Sequence, residues 1–277
     1  IGHEPEGGVT SGELVFNTAL TGYQEVLTDP SYAGQVITFT YPHIGNYGVN
    51  AADEESEGVH CAGVVMRDLS RVGSSWRADE GLDDYLRRRG VPGMTEVDTR
   101  RLTRHLRDAG ALPGAFGTAD AEVVAAAARG AMSTDGRDLV AGVTTAEPYF
   151  VGERDAPYRV VAYDFGIKKT ILRRLAGVGC RVEVVPASTS AGDVLGRAPD
   201  AVFLSNGPGD PAAVAGARGI VEGLVGNVPI FGICLGHQVL GLALGATTVK
   251  LPFGHHGANH PVQRVATREV EITSQNH

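Results

Sequence analysis

The alternation of hydrophobic and polar positions changes character about half-way along the chain. In the first half, short runs rich in apolar and β-branched residues stand between Gly, Pro and Asp, which is typical of strands; they are GELVFNTAL, GQVITFTYP and HCAGVVMRDL. Two or three helices are predicted to follow, at residues 81–89, at residues 99–108 and in the alanine-rich ADAEVVAAAARGA. Residues 1–150 therefore predict an N-terminal α+β domain.

From Tyr158 onwards, strand and helix patterns alternate about four times. The buried-strand runs are RVVAYDF, CRVEVVPA, DAVFLSNGPGD and VPIFGI, and each is followed by a helical pattern. This alternation predicts an α/β domain with a mostly parallel, doubly wound sheet. Functional loops of such sheets lie beyond the carboxyl ends of the strands, which points to SNGPGD and GICLGHQ.

A polar segment without periodicity, residues 144–159, contains two prolines and is the best candidate for a linker. The predicted domains are therefore 1–150 and 151–277. The end of the chain, HHGANHPVQRVATREVEITSQNH, predicts two strands around a turn and no further helix. We therefore expect the second domain to be incomplete at its C-terminus.

Composition and charge exclude several classes of protein. Of the 277 residues, 43% are hydrophobic and 20% are charged, which is typical of a soluble globular protein. The net charge of −8 argues against nucleic acid as a partner. The longest apolar stretch, residues 228–246, is interrupted by Pro229, His237, Gln238 and several glycines, so no membrane span is predicted. Three scattered cysteines fit a reducing compartment, which predicts a cytoplasmic protein.

Two basic segments stand out against this acidic background, LRRRG at residues 86–90 and DTRRLTRHLRDAG at residues 98–110. In DTRRLTRHLRDAG, Leu102 and Leu106 recur four residues apart, and the arginines occupy other positions around the helix. A solvated helix face or a protein contact explains this pattern better than nucleic-acid binding does.

Cys234 stands at the centre of the motif G-x-C-x-G, directly after a predicted strand and directly before a predicted helix. This is the cysteine version of the nucleophile elbow, in which Gly232 and Gly236 give room for a sharp turn. The helix N-terminus is expected to favour the thiolate, and the N–H of Leu235 to face a developing oxyanion. The alternative is a buried cysteine that packs as a small hydrophobe.

The general base is harder to find among the nine histidines. His237 lies only three residues after Cys234, where reaching back to the sulfur is awkward. The histidines of HHGANH suggest a metal site, but no carboxylate or cysteine spacing supports one, so we predict none. The loop SNGPGD exposes backbone amides to a ligand or is an ordinary tight turn; it is not a phosphate loop.

The motifs FGICLGHQVL and LSNGPGDP resemble those of the class I, or triad, glutamine amidotransferases. Further stretches, TGYQEVLTDPSY and YPHIGN among them, are similar to the small, glutamine-hydrolysing subunits of carbamoyl phosphate synthetases. The resemblance implies that Cys234 attacks L-glutamine and forms a γ-glutamyl thioester. It implies substrate contacts from Ser31, Gly207, Gly209, Leu235, Gln238 and Asn276.

The resemblance also implies a partner, a large synthetase subunit that receives the ammonia and binds ATP and Mg. No cofactor is expected in this chain. Members of the family continue past QNH to a His-Pro-Glu step that supplies the base, whereas this sequence stops at His277 and begins without Met. We therefore expect a chain that is truncated at both ends and is inactive or turns over weakly. Two alternatives remain, a different cysteine hydrolase on the same elbow and a non-catalytic scaffold subunit.

Overall fold

The structure, a computed structural model, describes residues 1–277 and contains two five-stranded sheets. Each sheet belongs to one of two compact units. The first unit contains Ile1–Thr28, Gly34–Ser133 and Leu251–His277, and the second contains Asp29–Ala33 and Thr134–Lys250. The units are thus interleaved along the sequence, whereas the predicted domains, 1–150 and 151–277, follow from a single cut. That domain boundary stays a prediction.

The first unit is an α+β structure, as predicted. Its strands before residue 120 are β1 (Val9–Asn17), β2 (Gln35–Phe39), β3 (His43–Ile44), β4 (Gly63–Val65), β5 (Asp68–Leu69), β6 (Gly93–Met94) and β7 (Leu112–Gly117). The main sheet has the order β6-β4-β2-β1-β7, in which only β7 runs antiparallel to its neighbour. Strands β3 and β5 form a separate parallel pair.

The helices of this unit are α1 (Tyr23–Leu27), α2 (Leu82–Arg88), α3 (Thr99–Ala109) and α4 (Ala121–Gly130). Three of them coincide with the helices predicted from the sequence. Helix α3 begins after Asp98, whose carboxylate accepts a hydrogen bond from the N–H of Arg101 at 3.0 Å, an ordinary N-terminal cap. Its apolar side faces inwards: Leu106 is fully buried, and Leu102 packs against the buried cluster of Val36, Val65 and Phe116.

The second unit repeats strand and helix in the predicted order. Its elements are β8 (Tyr149–Val151), β9 (Tyr158–Asp164), α5 (Lys169–Gly177), β10 (Cys180–Pro186), α6 (Ala191–Gly196), β11 (Ala201–Leu204), α7 (Ala217–Leu224), β12 (Ile230–Gly232) and α8 (Leu235–Ala243). The sheet order is β12-β11-β9-β10-β8, with four parallel strands and β8 antiparallel at one edge. The predicted linker segment, residues 144–159, therefore contains a short strand.

Helices cover both faces of this sheet because alternate residues of each strand point to opposite sides. On one face, Val161 and Tyr163 of β9 pack with residues of α6, α7 and α8. On the other face, Val160 and Ala162 pack with Leu172 of α5. The doubly wound arrangement is confirmed. No helix in either unit has the length and apolar character needed to cross a membrane.

The end of the chain forms an antiparallel hairpin of β13 (His256–Gln263) and β14 (Val270–Asn276), the two strands expected from the sequence. The hairpin belongs to the first unit. The hydroxyl of Thr18 donates to the backbone oxygen of His256 at 3.2 Å, and the ring of Phe253 stacks on Phe16 with centroids 5.8 Å apart.

Candidate active site

Cys234 occupies the turn between β12 and α8 in a strained backbone conformation. Its φ is 52° and its ψ is −113°, a region that residues with a side chain rarely adopt. The first turn of α8 closes on it, because the N–H of Gln238 donates to the Cys234 oxygen at 3.0 Å. Strain at the nucleophile position of a strand–turn–helix unit is the structural signature of the elbow predicted from the sequence.

Both motif glycines are required by close backbone approaches. A Cβ on Gly232 would lie 2.7 Å from the carbonyl carbon of Gly236 and from the nitrogen of His237. A Cβ on Gly236 would lie 2.2 Å from the oxygen of Leu204, at the end of β11. The predicted role of these glycines is confirmed: they let the helix start pack directly on its own turn and on the neighbouring strand.

The thiol is held in its neutral form. Burial raises the pKa of Cys234 from its ordinary value of 9.0 to about 11, and the negative charge of Asp29 adds to the rise. Hydrogen bonds from the backbone N–H groups of Leu235 and Gly207 lower this pKa, as does the charge of Lys168. The helix N-terminus therefore acts in the predicted direction, but the expectation of a favoured thiolate is wrong because desolvation is the larger effect.

The loop after β11 approaches the elbow through Gly207. A Cβ there would lie 2.1 Å from the oxygen of Phe165 and 2.8 Å from Cδ2 of Leu235, so only glycine fits. This close packing brings the N–H of Gly207 to the thiol. Gly209 has a different environment: its φ is 84°, and a Cβ on it would lie 2.7 Å from the oxygen of Arg137. The predicted substrate contacts of both glycines stay predictions.

Ser31 is brought to this loop by a short 3₁₀ helix, Pro30–Tyr32, capped by Asp29. The Asp29 carboxylate accepts from the N–H of Ser31 at 2.9 Å. The side-chain amide of Asn206 donates to the Ser31 hydroxyl at 3.0 Å and to the oxygen of Gly166 at 2.8 Å. Ser31 and the SNGPGD loop, which the resemblance assigned to one site, are thus joined by a direct hydrogen bond.

Asp29 and Asn206 are almost fully buried, each 4% exposed. The ammonium of Lys168 lies 3.7 Å from the Asp29 carboxylate, which compensates this buried charge. Sequence patterns assigned no role to Asp29, Asn206 or Lys168. Asn206 stands inside the SNGPGD motif and Asp29 precedes a proline as N-caps often do, but nothing local marks Lys168.

The second unit contains one histidine, His237. His237, whose position in the sequence makes reaching back to the sulfur awkward, is exposed. Gln238, the other predicted substrate contact on α8, is half-buried.

Asn276 belongs to the first unit, in β14. Its side-chain oxygen accepts a hydrogen bond from Nδ1 of His256 at 2.7 Å, and burial lowers the pKa of that histidine. The nearby rings of His255 and His277 approach within 3.2 Å between Nδ1 and Nε2. The structure contains no cluster of three or more His, Cys, Asp or Glu side chains suited to a metal ion. The predicted contact of Asn276 with glutamine stays a prediction.

Comparison with known proteins decides the family. Residues 1–116 match the family model for the carbamoyl-phosphate synthase small chain, CPSase domain, and residues 161–277 match the class-I glutamine amidotransferase model. The carbamoyl phosphate synthase small chain of Thioalkalivibrio sulfidiphilus is 56% identical over 289 residues, covering 98% of this chain and 76% of the relative. The chain belongs to the carbamoyl phosphate synthase small chain family.

Further small chains of this family match the sequence over nearly its whole length. The protein of Neisseria meningitidis serogroup B (strain ATCC BAA-335 / MC58) is 54% identical over 295 residues, covering 100% of this chain and 77% of the relative. That of Escherichia coli O6:H1 is 52% identical over 289 residues, covering 98% and 76%. The resemblance drawn from the motifs is thus confirmed, and the chain is a glutamine-hydrolysing amidotransferase of the carbamoyl phosphate synthase small chain type.

Proposed function

We propose that the Cys234 sulfur attacks the γ-carboxamide carbon of L-glutamine. A carbon–sulfur bond forms, the carbon–nitrogen bond breaks, and ammonia leaves with the thiol proton. Water then hydrolyses the γ-glutamyl thioester to glutamate and restores the thiol. The substrate contacts in this proposal are those implied by the resemblance: Ser31, Gly207, Gly209, Leu235, Gln238 and Asn276.

The observation that carries the proposal is the pair of backbone N–H groups, from Leu235 and Gly207, that act on the Cys234 thiol in a strained elbow. Two such donors beside a nucleophile are suited to the negative charge that develops on a carbonyl oxygen under attack. They come from two different loops, which glycines hold together. A cysteine that merely filled the core would need neither the strained φ nor the two donors.

The ammonia is passed, in this proposal, to a large synthetase subunit in the cytoplasm. That subunit, rather than this chain, is proposed to bind ATP and Mg. The names of the relatives support this assignment, since each is the small chain of a carbamoyl phosphate synthase.

The proposal is tested by release of ammonia from glutamine and by labelling with a glutamine-like chloroketone. We expect one adduct per chain in the intact mass, on Cys234 by peptide mapping, and loss of both adduct and ammonia release in Cys234→Ala. Cys180→Ala is the matched control, because it removes another thiol of the same unit. It should keep the adduct.

Three results would count against this function. An adduct that survives Cys234→Ala removes the nucleophile assignment. Release of amines from γ-glutamyl peptides without ammonia from glutamine favours a different cysteine hydrolase. Binding to the large subunit with neither labelling nor ammonia release favours a non-catalytic scaffold.

A further inference from the structure

Helix α3 carries several arginines on its exposed side, where they make no contribution to the packing of its apolar side. Arg100, Arg104 and Arg107 follow one another at intervals of four and three residues, so they share one side of the helix. Arg101 lies beside them, and all four residues are exposed. The opposite side, around Leu106, is buried. These four arginines are called the arginine face below.

The placement of these charges is unfavourable for the helix itself. The first turn of α3 contains no acidic residue but holds Arg100 and Arg101, and positive charge at a helix N-terminus opposes the macrodipole. Like charges three and four residues apart also repel each other. Helix α2 of the same unit has the favourable arrangement, with Asp83 in its first turn paired to Arg87 in its last turn at 2.7 Å.

The chain pairs one of these four guanidinium groups with a carboxylate. Arg107 pairs with its neighbour Asp108 at 2.8 Å, but the guanidinium groups of Arg100, Arg101 and Arg104 form no hydrogen bond or ion pair with the rest of the chain. Asp98 at the N-cap and Arg107 in the last turn suit the helix, whereas Arg100 and Arg101 in the first turn do not. Unfavourable local choices of this kind are expected where a sequence serves an interaction.

Two surface grooves accompany the arginine face. One, of about 430 Å³, is lined by Arg100, Arg101 and Arg104 together with two aspartates at the helix ends. The other, of about 560 Å³, is lined by Arg100, Arg104, Arg107, Thr40 and Thr103. Guanidinium groups along a groove are donors that protein carboxylates accept from.

We propose that the arginine face docks an acidic surface of the large synthetase subunit, and this inference rests on the partner named in the proposed function. Charge complementarity favours that occupant: several carboxylates presented together would relieve the repulsion among Arg100, Arg101 and Arg104. With a net charge of −8, the rest of the chain repels an acidic partner at long range, so one basic face fixes the docking orientation.

The test is Arg100→Glu, measured with the purified chain and its cognate large subunit by surface plasmon resonance at low and at physiological ionic strength. A glutamate in the first turn complements the macrodipole and pairs with Arg104 four residues on. The isolated variant should therefore melt no lower than the wild type. Its affinity for the large subunit should fall about tenfold or more, because like charges then face each other.

Arg129→Glu is the matched control, an exposed arginine of α4 that has no ion-pair partner and undergoes the same change of charge. It should bind as the wild type does. The inference is supported when Arg100→Glu alone binds weakly and shows a shallower dependence on salt.

Equal affinity of Arg100→Glu and wild type overturns the docking face and leaves the proposed function standing. Absence of any binding between the wild type and the large subunit overturns the proposed partner, and the docking face with it. Arg100→Glu could instead abolish self-association or oligonucleotide binding and leave the affinity for the large subunit unchanged. That result would assign the arginine face to another occupant and overturn the proposal.

Discussion

Gly236 is the position where the elbow can be perturbed most sharply with one methyl group. In Gly236→Ala the new Cβ would lie 2.2 Å from the oxygen, 2.5 Å from the carbonyl carbon and 2.7 Å from the Cβ of Leu204. Non-bonded carbon atoms pack at about 3.5–4.0 Å, so strand β11 and helix α8 have to separate by roughly 1 Å. The same shift stretches the hydrogen bond from the Gly236 N–H to the oxygen of Ser205, now 2.9 Å.

The expected cost follows from two opposing effects. Overpacking against rigid backbone costs about 1–3 kcal/mol or more, and alanine returns about 1 kcal/mol through its better helix propensity. Because the close atoms belong to rigid backbone, we expect the upper part of this range, so Gly236→Ala should lower the free energy of unfolding by about 1–2 kcal/mol. The matched control is Gly219→Ala in α7, where nothing lies within 4 Å of the new Cβ; it should raise the free energy of unfolding by about 0.4–1 kcal/mol.

Urea denaturation followed by far-UV circular dichroism compares the two variants, with the slope of the transition checked for equality. Chloroketone labelling of Cys234 in the same samples reports whether the elbow has moved. The steric reasoning is refuted if both variants are stabilised alike, because the methyl group at position 236 would then have found room.

Two further predictions concern the thiol and the polar groups around it. Since the pKa of Cys234 is raised to about 11, its rate of alkylation by iodoacetamide should rise about tenfold per pH unit and level off near pH 11, as measured by peptide mass spectrometry. In Asp29→Asn the rate should level off at lower pH, because the negative charge that raises the pKa is gone. A rate that levels off near pH 9 in the wild type contradicts the burial argument. Asn206→Ala removes the donor to the buried oxygen of Gly166 and should lower the free energy of unfolding, measured by urea denaturation, by about 1–3 kcal/mol. The exposed control Asn227→Ala should lower it by less than about 0.5 kcal/mol. Equal losses in the two variants would show that the buried hydrogen bonds of Asn206 do not stabilise the fold.

Local patterns in the sequence predicted most elements of the fold. The second unit was predictable because each buried strand is a continuous apolar run and each helix has its own period and ends at a turn residue. Strand β8 was missed because three residues at an antiparallel edge leave no periodic signal. Two segments pack in a unit whose other residues are distant in sequence: Asp29–Ala33 in the second unit and Leu251–His277 in the first. This packing is tertiary, and no local pattern in the sequence predicts it.

The candidate site divides in the same way. The elbow was predictable because its requirement for Gly232 and Gly236 is local, and the backbone of the turn meets it within a few residues. The polar network of Asp29, Asn206 and Lys168 joins three segments of the chain. None of these residues could be assigned to the network before the fold was known. The position of Asn276 follows from the hairpin, whose strands were predicted but whose packing was not.

The pKa of Cys234 depends both on its local turn and on the tertiary packing around it. Seen alone, a helix N-terminus lowers the pKa of a cysteine; desolvation by segments from elsewhere in the sequence reverses the balance for Cys234. The same desolvation strengthens every dipole that remains, because charges interact more strongly where water is excluded. The N–H groups of Leu235 and Gly207 lower the pKa of the resting thiol, but less than desolvation raises it. In the proposed reaction these N–H groups stabilise the negative charge on the carbonyl oxygen, which forms only when the sulfur attacks. The same enclosed environment therefore explains both a thiol that is neutral at rest and a strong oxyanion site.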